Sequence, residues 1–331
     1  MLHPDAKLRE DLFEVKEQAP TRDGFGHGVV EAGRADSRIM VMCADLSEST
    51  RAEWFEKEFP DRFIEAGISE QNMAAVAAGL AAVGKVPFIA SYAMFNGGRN
   101  WEQIRTVIAL NEVPVVICGM HAGVSVGPDG ATHQAVEDIA LMRVLPHMTV
   151  LSPCDAEEAR KATIAAAALG APVYMRFGRD KTPLMTTADT PFTIGKANVL
   201  WRPDTAAPAV AIVATGPVVH NALRAARDLE GQGIAVTVTN VHTIKPLDHD
   251  ALLGVAREAG AVVTVEEHQT AGGFGSAVAE MLAQEHPVPI EFIGVHDRYG
   301  QSGTPAELIE EYGMGVVHIV AAVERLLLRK R

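Results

Sequence analysis

The feature that most limits the possible folds is an alternation of short apolar runs with longer helical patterns. Five apolar runs are rich in β-branched residues and indicate buried strands, at 38–44, 86–91, 113–119, 148–153 and 172–178. Helical patterns fill the segments between them, at 70–83, 99–111, 134–145 and 155–169. Continuous apolar strands separated by helices are typical of a parallel sheet that is covered on both faces. The pattern therefore predicts an α/β domain.

A second series of strands and helices follows a stretch rich in Thr, Pro and Asp. It has strand patterns and helical patterns in alternation, at 209–216, 220–232, 235–241, 248–258, 261–267, 273–285 and 290–295. Thr304 and Glu307 flank Pro305 in the pattern of a capping box, so a further helix is predicted to start there. We therefore predict two α/β domains, the second smaller, with these bounds: an N-terminal extension over 1–20, the first domain over 21–185, a linker and entry segment over 186–208, and the second domain over 209–331.

Charge and composition exclude several classes of function. The formal net charge of −13 disfavours nucleic-acid binding, because nothing offsets phosphate repulsion over the surface as a whole. Cys43, Cys118 and Cys154 form no CxxC pair and fit reduced thiols in the cytosol. The N-terminus is charged, and the longest uncharged run, 71–84, is too short to span a bilayer. We expect a cytoplasmic protein that binds neither nucleic acid nor membranes, with room for a local basic pocket that holds one small phosphate.

The stretch GVSVGPDGATHQAVED, residues 123–138, places an acid and an imidazole in a glycine-rich loop. Asp129 and His133 lie four residues apart, just before an acidic helix start. Gly-Pro-Asp-Gly is also good turn chemistry, and taken alone a plain turn is the simpler interpretation. The other interpretation is a site where the backbone approaches a ligand and two titratable side chains reach it.

The segment 65–85 is predicted to begin a helix with an acid in its first turn. Ser69 can cap that helix, and Glu70 then lies where a carboxylate suits the helix dipole. A favourable first-turn acid is the plain interpretation. However, the following face has only small side chains, which would let another helix or subunit approach closely: Ala74, Ala75, Ala78, Gly79 and Ala82.

Aromatic and basic side chains follow two other predicted strands. Tyr92 and Phe95 either pack in the core or stack on a flat heterocycle at the carboxyl end of a parallel sheet. Arg176 and Arg179 end another strand, where a planar guanidinium can hold a phosphate or simply be solvated. The sequence has no GxGxxG after a strand, no GxxxxGK[ST] and no zinc spacing, so it predicts none of those sites.

Taken in order, these segments resemble the carboxyl-terminal two-thirds of transketolase, from about Thr21 to the end of the chain. The strongest matches are GISEQNMAAVAAGLA, GVSVGPDGATHQAVEDIALMRVLP and HDRYGQSGTPAELIEEYG. In that family the first of the two domains binds the aminopyrimidine of thiamine diphosphate, and the last is a smaller α/β domain. The resemblance therefore implies an α/β protein with a parallel-sheet pyrimidine-binding domain and a transketolase C-terminal domain.

The resemblance also implies a set of cofactor-binding residues. Glu70 matches the family glutamate that bonds a pyrimidine nitrogen through a protonated carboxyl and so promotes formation of the thiazolium ylid. Phe95 matches the stacking aromatic, Tyr92 lies beside it, and Asp45 falls where the family has a cofactor-side aspartate. After Phe95 the sequence runs Asn-Gly-Gly, so a further aromatic of many relatives is absent and the spacing to the next helix is one residue longer.

The substrate-binding residues implied by the resemblance come from the glycine-rich loop and from four other positions. Asp129 and His133 match the pair that contacts the sugar hydroxyls near the reacting carbon, and His133 suits proton transfer because imidazole titrates near neutral pH. The terminal phosphate of the substrate would be bound by Arg22, Ser49, His121 and Arg179.

One family motif is missing from the chain. No GDG is followed some two dozen residues later by Asn, the pattern that in this family holds the diphosphate and its divalent metal ion. The chain thus resembles one subunit of a split transketolase, whose partner carries that motif and binds Mg²⁺ or another divalent ion. We expect an α2β2 heterotetramer, active only with both chains, that transfers a two-carbon ketol unit from a ketose phosphate to an aldose or aldose phosphate.

Three alternatives remain open at this point. The beta subunit of a 2-oxoacid dehydrogenase's decarboxylating component has a similar length and domain plan, but is not expected to combine DGATHQ with the phosphate set. Deoxyxylulose phosphate synthase shares several motifs but normally carries the diphosphate domain in the same chain. A catalytically silent subunit that only completes a complex is the third, and Glu70 and His133 argue against it.

Overall fold

The computed structural model describes residues 1–204 and 206–330. Thr205, in the predicted linker, and Arg331, at the end of the predicted second domain, lie outside the described residues. The strands of the described residues are β1 (Gln18–Ala19), β2 (Ile39–Cys43), β3 (Phe63–Glu65), β4 (Val86–Tyr92), β5 (Val116–Met120), β6 (Thr149–Leu151), β7 (Val173–Arg176), β8 (Thr182–Pro183), β9 (Asn198–Trp201), β10 (Val210–Ala214), β11 (Val236–Asn240), β12 (Thr243–Lys245), β13 (Val262–Gln269) and β14 (Ile290–Val295).

The α-helices of the same residues alternate with these strands along most of the chain. They are α1 (Thr21–Ala35), α2 (Ser47–Thr50), α3 (Ala52–Glu58), α4 (Glu70–Ala82), α5 (Trp101–Gln103), α6 (Asp138–Arg143), α7 (Ala156–Ala168), α8 (Val219–Gly231), α9 (His249–Ala259), α10 (Phe274–Glu285), α11 (Pro305–Glu311) and α12 (Val316–Arg329). Within the described residues, no helix is both long enough and apolar enough to span a membrane.

Seven strands form one sheet in the order β12-β6-β7-β5-β4-β2-β3. All its pairs are parallel except the one between β12 and β6, which is antiparallel. Each of the five strands predicted for the first series is present in this sheet, which confirms a parallel-sheet domain. The sequence pattern does not predict β3 and β12, because each has only three residues and β12 comes from the second series.

A second sheet has five strands in the order β14-β13-β10-β11-β9. Its pairs are parallel except at the edge, where β9 is antiparallel to β11. The smaller second α/β layer is therefore confirmed, while the predicted residue bounds of the two domains stay a prediction. The capping box is also confirmed, because Thr304 and Glu307 bond each other's backbone N–H groups at the start of α11.

The segment predicted as one helix over 99–111 has a different form. Two π-helical turns, Met94–Arg99 and Ile104–Ala109, flank the short helix α5. The buried amide of Asn96 donates to the carbonyl oxygens of Ile89 and Cys118 at 2.9 and 3.0 Å, which fixes the first turn to two strands. Rare turns of this kind occur frequently at functional sites.

The starts of two other predicted helices also differ from expectation. Ser69 stands at the N-cap position of α4, but its hydroxyl donates to the carbonyl oxygen of Ala66 at 2.6 Å and caps nothing. The helix predicted from 134 begins only at Asp138, because Gln134, Ala135 and Val136 are held in a loop by hydrogen bonds to Gln301, Arg176 and Gln269.

Helices α1 and α7 pack against each other at backbone distance because α1 presents glycines. A Cβ atom placed on Gly24 would lie 2.0 Å from the carbonyl oxygen of Ala156. This contact fixes the start of α1, where the Thr21 hydroxyl accepts a hydrogen bond from the Gly178 N–H at 2.7 Å. The N-terminus of α1 is thereby held beside the loop that follows β7.

We expect Gly24→Ala to lower the free energy of unfolding by about 2 kcal/mol, because the added methyl group overpacks a backbone contact. Gly254→Ala is the matched control, since Gly254 lies inside α9 and faces open space. Because alanine has a higher helix propensity than glycine, Gly254→Ala should leave the free energy of unfolding unchanged or raise it by up to about 1 kcal/mol. Urea unfolding followed by circular dichroism measures both, and equal effects would contradict the packing described here.

Candidate active site

The predicted site residues lie at one edge of the seven-stranded sheet, where its parallel strands end. Such an edge is where open α/β sheets bind their ligands. The last residue of β4, the segments that follow β2, β4, β5 and β7, and the first turns of α1 and α4 carry the candidates, which are Arg22, Asp45, Ser49, Glu70, Tyr92, Phe95, His121, Asp129, His133 and Arg179.

Arg22 and His121 are in direct contact. The Arg22 Nη1 atom donates to the Ser49 carbonyl oxygen at 2.8 Å and lies 2.8 Å from His121 Nε2. Burial lowers the pKa of His121 to about 3, and the charges of Arg22 and Arg179 act in the same direction. The imidazole is therefore neutral at physiological pH. Because arginine only donates, Nε2 must accept and Nδ1 must carry the proton.

Positive charge is concentrated around Arg22. Burial lowers the pKa of Arg22, the nearby charges of Arg51 and Arg179 lower it further, and Asp23 opposes them. Arg51, which sequence reasoning missed, is bound to Asp23 at 2.7 Å. Its place two residues after Ser49 was the only signal that could have found it. Crowded guanidinium groups of this kind suit a ligand with an anionic oxygen group.

Arg179 links the loops after β5 and β7. Its Nη1 atom donates to the Val126 carbonyl oxygen at 2.7 Å and lies 3.7 Å from an oxygen of Asp129. Both Arg179 and Asp129 keep about a third of their side-chain surface exposed, at 38% and 33%. An incoming anion could therefore reach the guanidinium without any change in the fold.

Four rings form one aromatic cluster beside this basic group. Tyr92 and Phe95 are stacked with ring centroids 5.9 Å apart, and His121 meets the edge of Tyr92 at 4.1 Å. The ring centroids of His133 and Phe95 are 5.4 Å apart, and the Nδ1 atom of His133 is 2.9 Å from the Thr132 hydroxyl. The structure thus brings the two predicted stacking aromatics together with both predicted histidines.

Glu70 is buried, with only 1% of its side chain exposed. One carboxyl oxygen lies 3.4 Å from the Ser91 hydroxyl, and the other accepts a hydrogen bond from Arg99 at 2.8 Å. The Arg99 guanidinium also lies 4.9 Å from the centroid of the Phe95 ring. Arg99 was not predicted as a site residue, although it stands at the end of the Asn-Gly-Gly segment.

Asp45 differs from the other candidates: among the described residues, none of the contacts given above links it to them. It follows β2 with an exposed side chain and a left-handed backbone, at φ 58°. Glu65 holds this turn, since one of its oxygens accepts from the N–H groups of Asp45 and Gly67, both at 2.8 Å.

The buried carboxyl and the stacked rings fit the pyrimidine half of the cofactor that the resemblance implies. A flat heterocycle needs a hydrogen-bonding group at its edge and an apolar face, which Glu70 and Phe95 provide. Across residues 1–204 and 206–330, no group of three or more His, Cys, Asp or Glu side chains is placed to hold a metal ion.

Arg176, for which the sequence allows phosphate binding or simple solvation, does neither, because it is buried in the fold. Its guanidinium donates to Asp138 at 2.9 Å and to the carbonyl oxygens of Ala135 and Glu267 at 3.2 and 2.7 Å. The Tyr174 hydroxyl donates to the same carboxylate at 2.8 Å. Arg176 therefore ties β7, the end of the glycine-rich loop and β13 together.

The glycine-rich loop has two further anchors that sequence reasoning missed. The buried Gln134 amide donates to the carbonyl oxygens of Val124, Gly127 and Gln301 at 3.0, 3.2 and 2.9 Å. The Glu267 carboxyl accepts from the Ser125 N–H at 2.6 Å. Residues of the second sheet and its loops thus hold the loop that carries Asp129 and His133.

A cavity of about 600 Å³ lies at the carboxyl ends of β13 and β14, away from all the candidates. Glu137, Gln269 and Arg298 are among its lining residues. We place the candidate site at the edge of the first sheet rather than in this cavity, because a buried carboxyl, stacked rings and crowded arginines meet at that edge, whereas the charged and aromatic residues 296–299 that line the cavity are exposed.

Two family models match the chain. The model for the pyrimidine binding domain of transketolase matches residues 17–185, and the model for the transketolase C-terminal domain matches residues 196–319. Neither match favours the beta subunit of a 2-oxoacid dehydrogenase.

Known relatives agree with this match over nearly the whole chain. The 6-deoxy-6-sulfo-D-fructose transketolase subunit SqwH of Clostridium sp. (strain MSTE9) is 39% identical over 96% of this chain and 98% of its own length. A subunit of the apulose-4-phosphate transketolase of Phocaeicola vulgatus is 36% identical over 88% of this chain and 93% of its own length.

A solved structure extends the likeness to the fold. It is described as a split gene transketolase, inactive beta4 tetramer, and is 45% identical, with a TM-score of 0.87 over 94% of this chain and 99% of that one. Matching domains, relatives of the same length and a common fold all point the same way. The chain therefore belongs to the transketolase family, in which it corresponds to the carboxyl-terminal subunit of a split enzyme.

Proposed function

We propose that this chain supplies the pyrimidine-binding half of a thiamine diphosphate-dependent transketolase that acts on sugar phosphates. The observation that carries the proposal is the meeting of a buried carboxyl, a stacked aromatic pair and a basic pocket at one sheet edge. The reaction would transfer a two-carbon ketol unit from a ketose phosphate to an aldose or aldose phosphate.

The cofactor's pyrimidine would be held by Glu70, Phe95 and Tyr92. When bound, thiamine diphosphate supplies the nucleophilic carbon and the electron sink that the side chains of the protein lack. The protonated Glu70 carboxyl would donate a hydrogen bond to the ring nitrogen, and the burial of Glu70 excludes water from that contact. Phe95 would fix the plane of the ring, and Asp45, two residues after β2, would lie on the cofactor side.

The sugar would lie across the glycine-rich loop. Asp129 would orient a hydroxyl next to the reacting carbon, and His133 would move a proton there because its imidazole is partly exposed and faces the aromatic cluster. Arg22, His121 and Arg179 would bind the terminal phosphate, and the Ser49 carbonyl oxygen holds the Arg22 guanidinium in place.

The charged group of the substrate need not be a phosphate. One relative is named for a sulfonated fructose and another for apulose 4-phosphate. A basic pocket recognises either group by the same hydrogen bonds to oxygen. We therefore propose an anionic sugar as the substrate class, and a sugar phosphate as the substrate to test first.

A second chain would complete the site. The sequence offers no GDG…N segment, and a diphosphate needs a divalent ion with oxygen ligands to neutralise its charge. Ala74 and Ala78 of the predicted small-residue face are buried in the core of this chain. Ala75, Gly79 and Ala82 are exposed on α4, with open space around Gly79, where a partner helix can approach closely. We infer an α2β2 heterotetramer in which the partner binds Mg²⁺ or another divalent ion. The related tetramer of beta chains is described as inactive, which supports this inference.

We expect Glu70→Ala to lower kcat of the complex with its partner by about 10²–10⁴-fold, since one element of proton transfer is lost. Glu102→Ala, on the neighbouring helix α5, is the control and should keep wild-type activity. Circular dichroism and size-exclusion chromatography check that both variants fold and assemble. Near-normal turnover of an assembled Glu70→Ala complex would contradict the assignment and would leave the silent-subunit alternative standing.

We expect Arg22→Ala and Arg179→Ala to raise KM for a phosphorylated substrate much more than for its unphosphorylated analogue. Each loses a charge-assisted hydrogen bond, which costs about 1.5–3 kcal/mol. Lys181→Ala removes an exposed cation two residues from Arg179 and serves as the control. A sulfonated sugar included in the same kinetic series reveals which anion is preferred. Equal losses on charged and uncharged substrates would mean that the two arginines act only on the fold.

We expect the purified chain alone to show neither ketol transfer nor tight binding of thiamine diphosphate with Mg²⁺, because only one end of the cofactor would be held. Titration calorimetry on the chain, before and after addition of the partner, measures this directly. Stoichiometric tight binding together with turnover by this polypeptide unaided would refute the split-enzyme proposal.

A further inference from the structure

Arg99 makes the two contacts that a bound pyrimidine ring would also need. Its Nη1 atom donates to a carboxyl oxygen of Glu70 at 2.8 Å, and its guanidinium carbon lies 4.9 Å from the Phe95 ring centroid. A guanidinium is planar, has donors along its edge and stacks on aromatic faces. It therefore resembles an aminopyrimidine in shape and in the groups that it engages.

We propose that Arg99 is a displaceable stand-in for the cofactor ring, which must leave Glu70 before thiamine diphosphate can bind. This inference rests on the proposed function, since it takes Glu70 and Phe95 as the pyrimidine contacts. Arg99 is then a positioning residue that sets how readily this subunit accepts its cofactor, and it takes no part in the chemical step.

The two occupants of Glu70 exclude each other for a reason of charge as well as space. The ion pair with Arg99 requires Glu70 to be a carboxylate, whereas the hydrogen bond to a ring nitrogen requires a protonated carboxyl. The second carboxyl oxygen already lies near the Ser91 hydroxyl, at 3.4 Å. The guanidinium both donates to this carboxyl and lies over the Phe95 ring, so it fills the place where a ring would make the same two contacts and must move first.

The surroundings of Arg99 allow it to move. Its side chain is 47% exposed, whereas that of Glu70 is 1% exposed. Arg99 ends a π-helical turn that includes two glycines, and its own carbonyl oxygen accepts a long hydrogen bond, 3.4 Å, from Gln71. Water can therefore solvate the guanidinium as soon as it leaves, and the incoming ring would give the buried Glu70 carboxyl a new hydrogen-bond partner in its place.

The test measures cofactor affinity in the complex with the partner subunit. Wild type, Arg99→Met, Arg99→Lys and Arg105→Met are titrated with thiamine diphosphate at fixed Mg²⁺ by calorimetry. Methionine keeps a long side chain without charge, lysine keeps the charge without the plane, and Arg105 is an exposed arginine on the next helical turn. Thermal unfolding of each complex checks that it has folded.

We expect Arg99→Met to lower Kd by about 5- to 20-fold, because the fraction of sites ready for the ring rises. Arg99→Lys should lower Kd by a smaller factor, since lysine still pairs with Glu70 but stacks poorly, and Arg105→Met should match wild type. A merely structural arginine would give unchanged or weaker binding on removal. That result, with normal binding by wild type, overturns the inference and leaves the proposed function standing. Failure of the wild-type complex itself to bind the cofactor overturns both.

Discussion

The guanidinium of Arg176 is buried where three parts of the chain meet. Its bonds to Asp138, Ala135 and Glu267 join the end of β7, the glycine-rich loop and β13. Burial disfavours the charged form, but Asp138 and Glu267 outweigh it and raise the pKa of Arg176. Removing one member of such a pair leaves an uncompensated charge, which generally costs about 3–5 kcal/mol. The positions of Asp129 and His133 depend on this pair, because it fixes the segment on which their loop ends.

The contacts of Arg22 explain how an acidic protein can hold a basic pocket. The net charge of the whole chain is −13, yet burial and the nearby charges of Arg51 and Arg179 lower the pKa of Arg22. Arg51 is paired with Asp23, and Arg179 lies 3.7 Å from Asp129, but Arg22 donates to the backbone carbonyl oxygen of Ser49. Because a carbonyl oxygen carries no full charge, Arg22 stays positioned without being neutralised and remains able to bind an anion.

Local patterns predict the sheet and the edge at which the candidate residues meet, while the roles of those residues are implied by the resemblance to transketolase and stay predictions. Apolar runs mark the strands, and Glu70, Tyr92, Phe95, His121, Asp129, His133 and Arg179 follow strands or start helices that lead to one edge. Much of what the sequence does not predict depends on contacts between distant segments: Gln134 and Glu267 have no recognisable role until the second sheet is placed. The missing Ser69 cap has a local cause instead, because the hydroxyl donates to the carbonyl oxygen of Ala66. The role of Arg99 depends on a π-helical turn, which no periodicity of side chains indicates.

Strand β12 makes completion of the first sheet depend on a later part of the chain. Thr243–Lys245 lies beyond the linker but forms the edge of the first sheet, antiparallel to Thr149–Leu151. As the chain leaves the ribosome, β6 therefore lacks its neighbour on one side until residues 243–245 have emerged. An open strand edge is a template for pairing with other chains. The nascent first half thus stays vulnerable to misassembly until the second half reaches back to close it, so a cut at the linker would separate the two halves of one folding unit.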